Sequence, residues 1–416
     1  MKRTLFQPSP CWHTRSKISR WARLPSPRLL SSQKAKDEPL RILFCGSDSF
    51  SAASLTALHA FSKTAQANIA SIDVVTRTDK RSGRGLKLVN SPPIKHDAQR
   101  LDLPIHQIDT FKGWNLPEYK GLNRQINLVI AVSFGLLIPR RILDMAKYNG
   151  LNVHPSMLPD LPGAAPIQWS IIYGRTTTGV TVQTLHPSKF DQGLILDQTP
   201  APGIAIPNPQ SITTPQLIDL LAPLGAEMLV NAIRNKLYIS PYEPVRDQGN
   251  AREVAMAPKI TPQMRVIDFT KFTATELLRR NRAIGPLQVF LKKGDESKDL
   301  IRIKISEDAR FATSSDIPEC MRSFADRIPA GVPYAIMSKS QSPTNSNKPL
   351  LVNTLATDSD CRQVAFPHMT VASMGKSTGA AAAARAIAFR RAEIVGDFGL
   401  HICTRPFMLP DDLNGQ

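Results

Sequence analysis

Two apolar runs, Leu40-Arg-Ile-Leu-Phe-Cys-Gly46 and Asn127-Leu-Val-Ile-Ala-Val-Ser133, restrict the fold of this chain more than any other feature. Runs this apolar suit strands covered on both faces, the arrangement of a parallel sheet with helices above and below. Helical periodicity over Phe50–Phe61 and a second strand near Ile69–Val75 separate them. Further on come a short strand-like Leu151–His154, a helix over Ala164–Tyr173, an alternating strand over Gly179–Leu185 and a long periodic helix over Leu217–Asn235. Strands alternating with helices predict an α/β fold with a Rossmann-like, mostly parallel sheet. The first strand runs into Gly46-Ser-Asp-Ser-Phe50 with no G-x-G-x-x-G, so a dinucleotide is not expected. Ser373-Met-Gly-Lys-Ser-Thr378 is half a P-loop, but Thr370 stands where the first glycine is needed, and ATP or GTP binding is rejected.

Residues 37–237 are expected to form this first domain and 238–258 a polar, Pro-containing linker. Residues 259–416 then read as a smaller β-rich domain. Thr273-Ala-Thr-Glu276 is a capping box opening a helix that Gly285-Pro286 ends, Ile301–Ile305 alternates like a half-exposed strand, and Ser338–Pro349 looks like an inserted polar loop.

Hydrophobic residues make up 42% of the 416, enough for a sizeable core, and no uninterrupted apolar stretch approaches a membrane span. The five cysteines, Cys11, Cys45, Cys320, Cys361 and Cys403, are scattered without a CxxC pair, so no metal site is expected. The net charge is +18, and residues 1–36 supply nine Lys/Arg and no acid. Ile18, Trp21 and Leu24 recur among Arg15, Lys17, Arg20 and Arg23. This is the pattern of a mitochondrial transit peptide, placing the protein in the matrix; a basic tail that binds RNA directly is the alternative.

In Leu151-Asn-Val-His-Pro-Ser-Met-Leu-Pro159, Asn152 and His154 are two apart and share one face of a strand. The end of a strand is where an α/β sheet takes its ligand. Asp191 follows in Phe190-Asp-Gln-Gly193. An amide donor for an oxyanion, an imidazole and a carboxylate suit acyl transfer, and no nucleophile elbow argues for a covalent intermediate. Taken alone, Asn-x-His at a strand end is more often a structural hydrogen-bonding pair than a site. His96, His106 and His186 read as ordinary surface or loop histidines.

Asn152-Val-His-Pro-Ser-Met-Leu-Pro159, Gly163-Ala-Ala-Pro-Ile-Gln168, Thr178-Gly-Val-Thr181 and Asp191-Gln-Gly193 together resemble the formyltransferase family that uses 10-formyltetrahydrofolate. The resemblance runs from about Leu40 to Asp268 and more thinly beyond. It implies the formyltransferase fold, with Asn152 and His154 stabilising a tetrahedral oxyanion and Asp191 orienting His154 and assisting deprotonation of an amine. It further implies a folate pocket lined by Phe134, Gly135, Leu136, Ile138, Ser156, Met157, Leu158 and Pro159, with no metal. Arg77-Thr-Asp-Lys-Arg-Ser-Gly-Arg-Gly-Leu-Lys87 is similar to the basic loop of the family's tRNA-directed branch, which formylates initiator Met-tRNA. On that likeness Arg77, Lys80, Arg81, Arg84 and Lys87 would contact tRNA, Arg84 foremost, and the C-terminal domain would be an OB-like barrel that helps hold it. A monomer without membrane insertion is expected. Two departures stand out: Phe134 where the family usually has Tyr, and Pro162 where it usually has Arg or Lys. A formyltransferase for a small amine, and a non-catalytic RNA-binding protein with this fold, are the competing readings; the basic loop speaks against the first and the intact triplet against the second.

Overall fold

The first strand, β1 (Leu40–Gly46), is buried along its whole length, as its uninterrupted apolarity requires. The structure is a computed structural model and describes residues 38–117, 125–245, 254–292, 300–338, 347–355, 363–371, 375–378, 389–395 and 398–403. The expected transit peptide and residues 339–346 of the polar loop lie outside the described residues.

Asp48 caps α1 (Ser49–Ser62) by accepting the Ser51 N–H at 2.9 Å. The chain then forms β2 (Ile69–Thr76), a hairpin of β3 (Lys80–Ser82) and β4 (Leu88–Asn90), α2 (Pro93–Arg100) and β5 (Ile105–Gln107). It returns through β6 (Leu128–Val132), α3 (Arg140–Met145) and β7 (Gly150–His154), and continues with α4 (Pro166–Ile172), β8 (Thr177–Thr178), β9 (Thr181–Thr184), β10 (Ile195–Gln198), β11 (Ile204–Ala205) and α5 (Thr214–Arg234).

The main sheet has the order β10-β9-β7-β6-β1-β2-β5. The five strands from β7 to β5 are parallel, while β9 and β10 turn antiparallel at one edge. The sheet is therefore mostly parallel, as the alternation of elements predicts. From β1 the chain builds outward to β5, then crosses back to β6 on the other side of β1. The strand order reverses there, opening a crevice beyond the carboxyl ends of β1 and β6.

Helix α5 is apolar and long enough to span a membrane by composition. In this fold it is a core helix: Leu217, Leu221 and Leu229 are fully buried and it packs on α1.

The C-terminal part begins with α6 (Ala274–Ile284), whose predicted capping box is present in both directions: Thr273 Oγ1 accepts the Glu276 N–H at 3.2 Å and Glu276 accepts the Thr273 N–H at 2.9 Å. Antiparallel strands follow. β12 (Gln288–Lys292), β13 (Leu300–Ile305), β18 (His368–Val371) and β19 (Gly375–Thr378) form one sheet. A second runs β14 (Arg310–Phe311), β17 (Gln363–Phe366), β16 (Leu350–Asn353), β15 (Pro333–Ser338), β21 (Phe398–Cys403), β20 (Phe389–Val395). This part is β-rich, as expected. The half P-loop residues Gly375–Thr378 sit in a strand paired with β18 instead of opening a helix. One hydrophobic core is continuous from β1 and β6 through α4, α5 and α6 to β13, β16 and β18.

Candidate active site

Asn152 and His154 project from the end of β7, and β9 lies antiparallel beside it with Asn152 opposite Gln183 and His154 opposite Thr181. Residues opposed across such a pair share a face of the sheet. The Asn152 amide donates to Ala131 O at 3.0 Å and its oxygen accepts the Gln183 Nε2–H at 2.9 Å. Gln183 also reaches Asp191 Oδ1 at 3.3 Å and accepts the Gly193 N–H at 3.0 Å. Asp191 Oδ2 accepts the Gly163 N–H at 2.8 Å. His154 is buried, with Nδ1 3.3 Å from Asp191 Oδ1 and Nε2 3.0 Å from Leu161 O. A carbonyl only accepts, so Nε2 carries a hydrogen and Nδ1 is the nitrogen that faces Asp191. The predicted triplet thus converges. Asp191 sits at φ +53°, a left-handed conformation that Asp tolerates better than most residues.

A cavity of about 450 Å³ opens on this cluster. Asn152, His154 and Asp191 line it with Phe134, Gly135, Leu136 and Ile138, half of the expected folate set. Ser156, Met157, Leu158 and Pro159 are not on its wall. Ser156, Met157 and Leu158 are buried, and Ser156 Oγ donates to Asp160 O while the Leu158 N–H goes to Thr181 Oγ1. That stretch shapes the turn beneath the cavity. Phe134 is braced edge-to-face by Phe111 at 5.9 Å.

Asp48 closes the cavity at the crevice between β1 and β6. Burial pushes its carboxyl above the ordinary carboxylate range, opposed by hydrogen bonds from the Ser51 backbone and the Ser133 and Ser51 side chains. Gln168, Gln183, His186, Lys189 and Lys259 also reach the wall. None was singled out for the site from the sequence. His186 is a loop histidine as expected, with Nδ1 accepting the Ser188 and Lys189 N–H groups at 3.2 and 3.1 Å, but its loop borders the cavity. His96 is exposed; His106 instead faces buried Asp73 at 3.2 Å.

Residues Val254–Pro258, the end of the segment read as a linker, run along the loop after β7. Leu161 N–H donates to Ala255 O, Ala257 N–H to Pro162 O, and Ala165 N–H to Ala257 O. Trp169 Nε1–H adds a bond to Pro258 O at 2.8 Å. At Gly163, with φ +132°, a Cβ would lie 2.3 Å from Ala257 O, so only glycine permits this approach. Pro162 uses its carbonyl here, where a cationic side chain was the family's expectation.

Away from the cavity, the basic stretch is the β3–β4 hairpin, its tip a short 3-10 turn over Arg84–Leu86. Lys80, Arg81 and Lys87 are exposed, together with Leu86, Leu88 and Val89. Arg77 instead pairs with Asp109 at 3.0 Å at the hairpin's base.

Residues 40–232 match the model of the formyl transferase family. The mitochondrial methionyl-tRNA formyltransferase of Saccharomyces cerevisiae is 34% identical over 332 residues, 68% of this chain and 82% of that one. The chain belongs to the methionyl-tRNA formyltransferase family. The human mitochondrial methionyl-tRNA formyltransferase is 31% identical over 310 residues, 72% of this chain and 70% of its own length. Among solved structures, a sugar 3N-formyltransferase crystallised with dTDP and 5-N-formyl-THF has a TM-score of 0.45 at 17% identity, covering 78% of this chain and 96% of that one. As a methionyl-tRNA formyltransferase family member the chain is a formyl-transferring enzyme, and the matched span contains Asn152, His154 and Asp191.

Proposed function

We propose that this enzyme moves the formyl group of 10-formyltetrahydrofolate onto the amino group of initiator Met-tRNA, in the mitochondrial matrix, by direct attack of the amine. The observation that carries the reading is the convergence of Asn152, His154 and Asp191 on one cavity beside an apolar wall of Phe134, Leu136 and Ile138. That cavity falls in the size range of small-molecule sites, and a flat ring fits an apolar wall with a few polar groups. The folate supplies the formyl carbon and a nitrogen that leaves. The rest is done by this chain. One N–H of Asn152 is held by Ala131 O, leaving the second for the negative charge that gathers on the formyl oxygen. The amine gives up one proton, which is held between Asp191 and the Nδ1 of His154, whose Nε2 side is anchored by Leu161 O, and is passed to the departing folate nitrogen as its bond to the formyl carbon breaks. His154 thereby serves as a proton holder next to Asp191, and oxyanion donation falls chiefly to Asn152.

The β3–β4 hairpin is assigned to the tRNA acceptor end. Lys80, Arg81, Arg84 and Lys87 supply cations for phosphates, and exposed Leu86, Leu88 and Val89 offer apolar contact to unpaired bases. Arg77 is spent largely on Asp109. The β-rich C-terminal part is assigned the role of an OB-like tRNA-holding domain. Residues 1–36 are assigned to import, which a reporter fused to that segment checks; diffuse cytosolic signal is the contrary result. Catalysis is tested with the purified protein, 10-formyltetrahydrofolate, and charged initiator tRNA set against amino-sugar nucleotides and glycinamide ribonucleotide. Formyl-methionyl-tRNA is the expected product, and preference for a small amine overturns the assignment.

A further inference from the structure

Gln183 sits between the two groups that the proposed chemistry depends on, and its side chain is 1% exposed. Its oxygen accepts the Gly193 N–H at 3.0 Å. A backbone N–H can only donate, so the amide cannot be turned round: the NH₂ end must face Asn152 and Asp191. That end donates to Asn152 Oδ1 at 2.9 Å and reaches Asp191 Oδ1 at 3.3 Å. Asn152 is then constrained in turn. With its oxygen held by Gln183, its NH₂ must face Ala131 O and the cavity. Were Gln183 unable to donate, only the single bond to Ala131 O would oppose rotation of the Asn152 amide, and the flipped form presents a carbonyl oxygen to a developing negative charge.

We propose that Gln183 is a positioning residue that sets the amide orientation of Asn152, transmitting the fixed direction of the Gly193 N–H to the oxyanion donor. The proposal rests on the catalytic roles given above to Asn152 and Asp191. Gln183 touches no substrate in this scheme. It acts by excluding the wrong flip of one amide and by tying that amide to the carboxylate that receives the proton. Asn152 and Gln183 are opposite one another on β7 and β9, so the relay needs no long side chain and no loop.

The test compares Gln183→Met, which keeps the volume and loses the donor, with Asn152→Ala and with the double variant, in the full-length protein. Gln183→Met is expected to lower kcat about a hundredfold, the scale of losing one oxyanion donor. KM for 10-formyltetrahydrofolate and for Met-tRNA should stay within about threefold, because neither substrate loses a contact. The double variant should be no more than about threefold slower than Asn152→Ala, since the two residues act as one unit. A fall in kcat below about fivefold for Gln183→Met, or losses that multiply, overturns the proposal. An Asn152→Ala enzyme with ordinary turnover would instead remove the site assignment itself. Gln183→Glu covers the case in which Gln183→Met does not fold. It keeps an acceptor for Gly193 and donates to Asn152 only while protonated. Its rate relative to wild type should climb as pH is lowered from about 8 to 6; a flat ratio refutes the relay.

Discussion

At the end of β7 each polar group is held by more than one partner. Asn152 is bonded to Ala131 and Gln183, Asp191 to Gly163, Gln183 and His154, and His154 is flanked by Asp191 and Leu161. The β3–β4 hairpin is the reverse. Its two strands form a sheet of their own, and Lys80, Arg81, Leu86, Leu88 and Val89 stand in solvent. Both regions are polar and both are assigned to the same reaction, yet one is over-determined and the other barely constrained. Transition-state stabilisation is lost when a donor is misplaced by a fraction of an ångström, so the cavity is cross-bonded. Phosphate binding depends on charge and reach more than on fixed geometry, so a hairpin with few tertiary bonds suffices.

The contrast can be broken most severely at Asn152. Asn152→Ala should cost about 3–4 kcal/mol of transition-state stabilisation, read as a fall in kcat with little change in folate binding. Gly163→Ala comes next. A Cβ 2.3 Å from Ala257 O at φ +132° forces the loop away from its strap. The melting temperature should drop by several degrees and turnover should fall with it, while a hairpin variant leaves the melting temperature untouched. In the hairpin, Arg81→Ala and Arg84→Ala should each weaken tRNA binding modestly and reduce the slope of log affinity against log salt by about one, without altering KM for the folate. A change in kcat alone would place the hairpin in the chemistry and erase the contrast.

The smallest effect is expected at Asp48. Burial raises its carboxyl pKa in the folded state. The folded protein then favours the protonated form, and that contribution is complete below the ordinary carboxylate value and is lost as pH rises through the raised one. Asn keeps the helix cap without the charge. Asp48→Asn should therefore match wild-type stability below about pH 4 and gain a slight advantage at neutral pH, whereas Asp48→Ala should cost about 1 kcal/mol. A neutral-pH loss for Asp48→Asn would mean that the charge itself has a partner.

Much of the frame was legible from residue pattern because its causes are local. Apolar runs marked β1 and β6, the capping box marked α6, and the two-residue spacing placed Asn152 and His154 on one face. The role proposed for Gln183 is not legible in the sequence because it lies in the register of β7 against β9, a long-range fact that alternation cannot reveal. Ser156–Leu158 share a motif with the site yet turn inward, because the hydrogen bonds of Ser156 to Asp160 and of Leu158 to Thr181 decide the turn, and Pro159 is exposed away from the cavity wall. Val254–Pro258 reads as connection because it ends the stretch 238–258, which as a whole is polar and Pro-containing; only the backbone bonds to the loop after β7 show what it braces.

That brace has a consequence for dividing the chain. A break between residues 245 and 254 would leave Leu161–Ala165 on one fragment and Ala255–Ala257 on the other, each carrying backbone donors and acceptors that match only the counterpart. Neither piece would be a self-sufficient enzyme. Mixed together, they would be expected to complement, with recovered formylation reporting that the fragments had found each other.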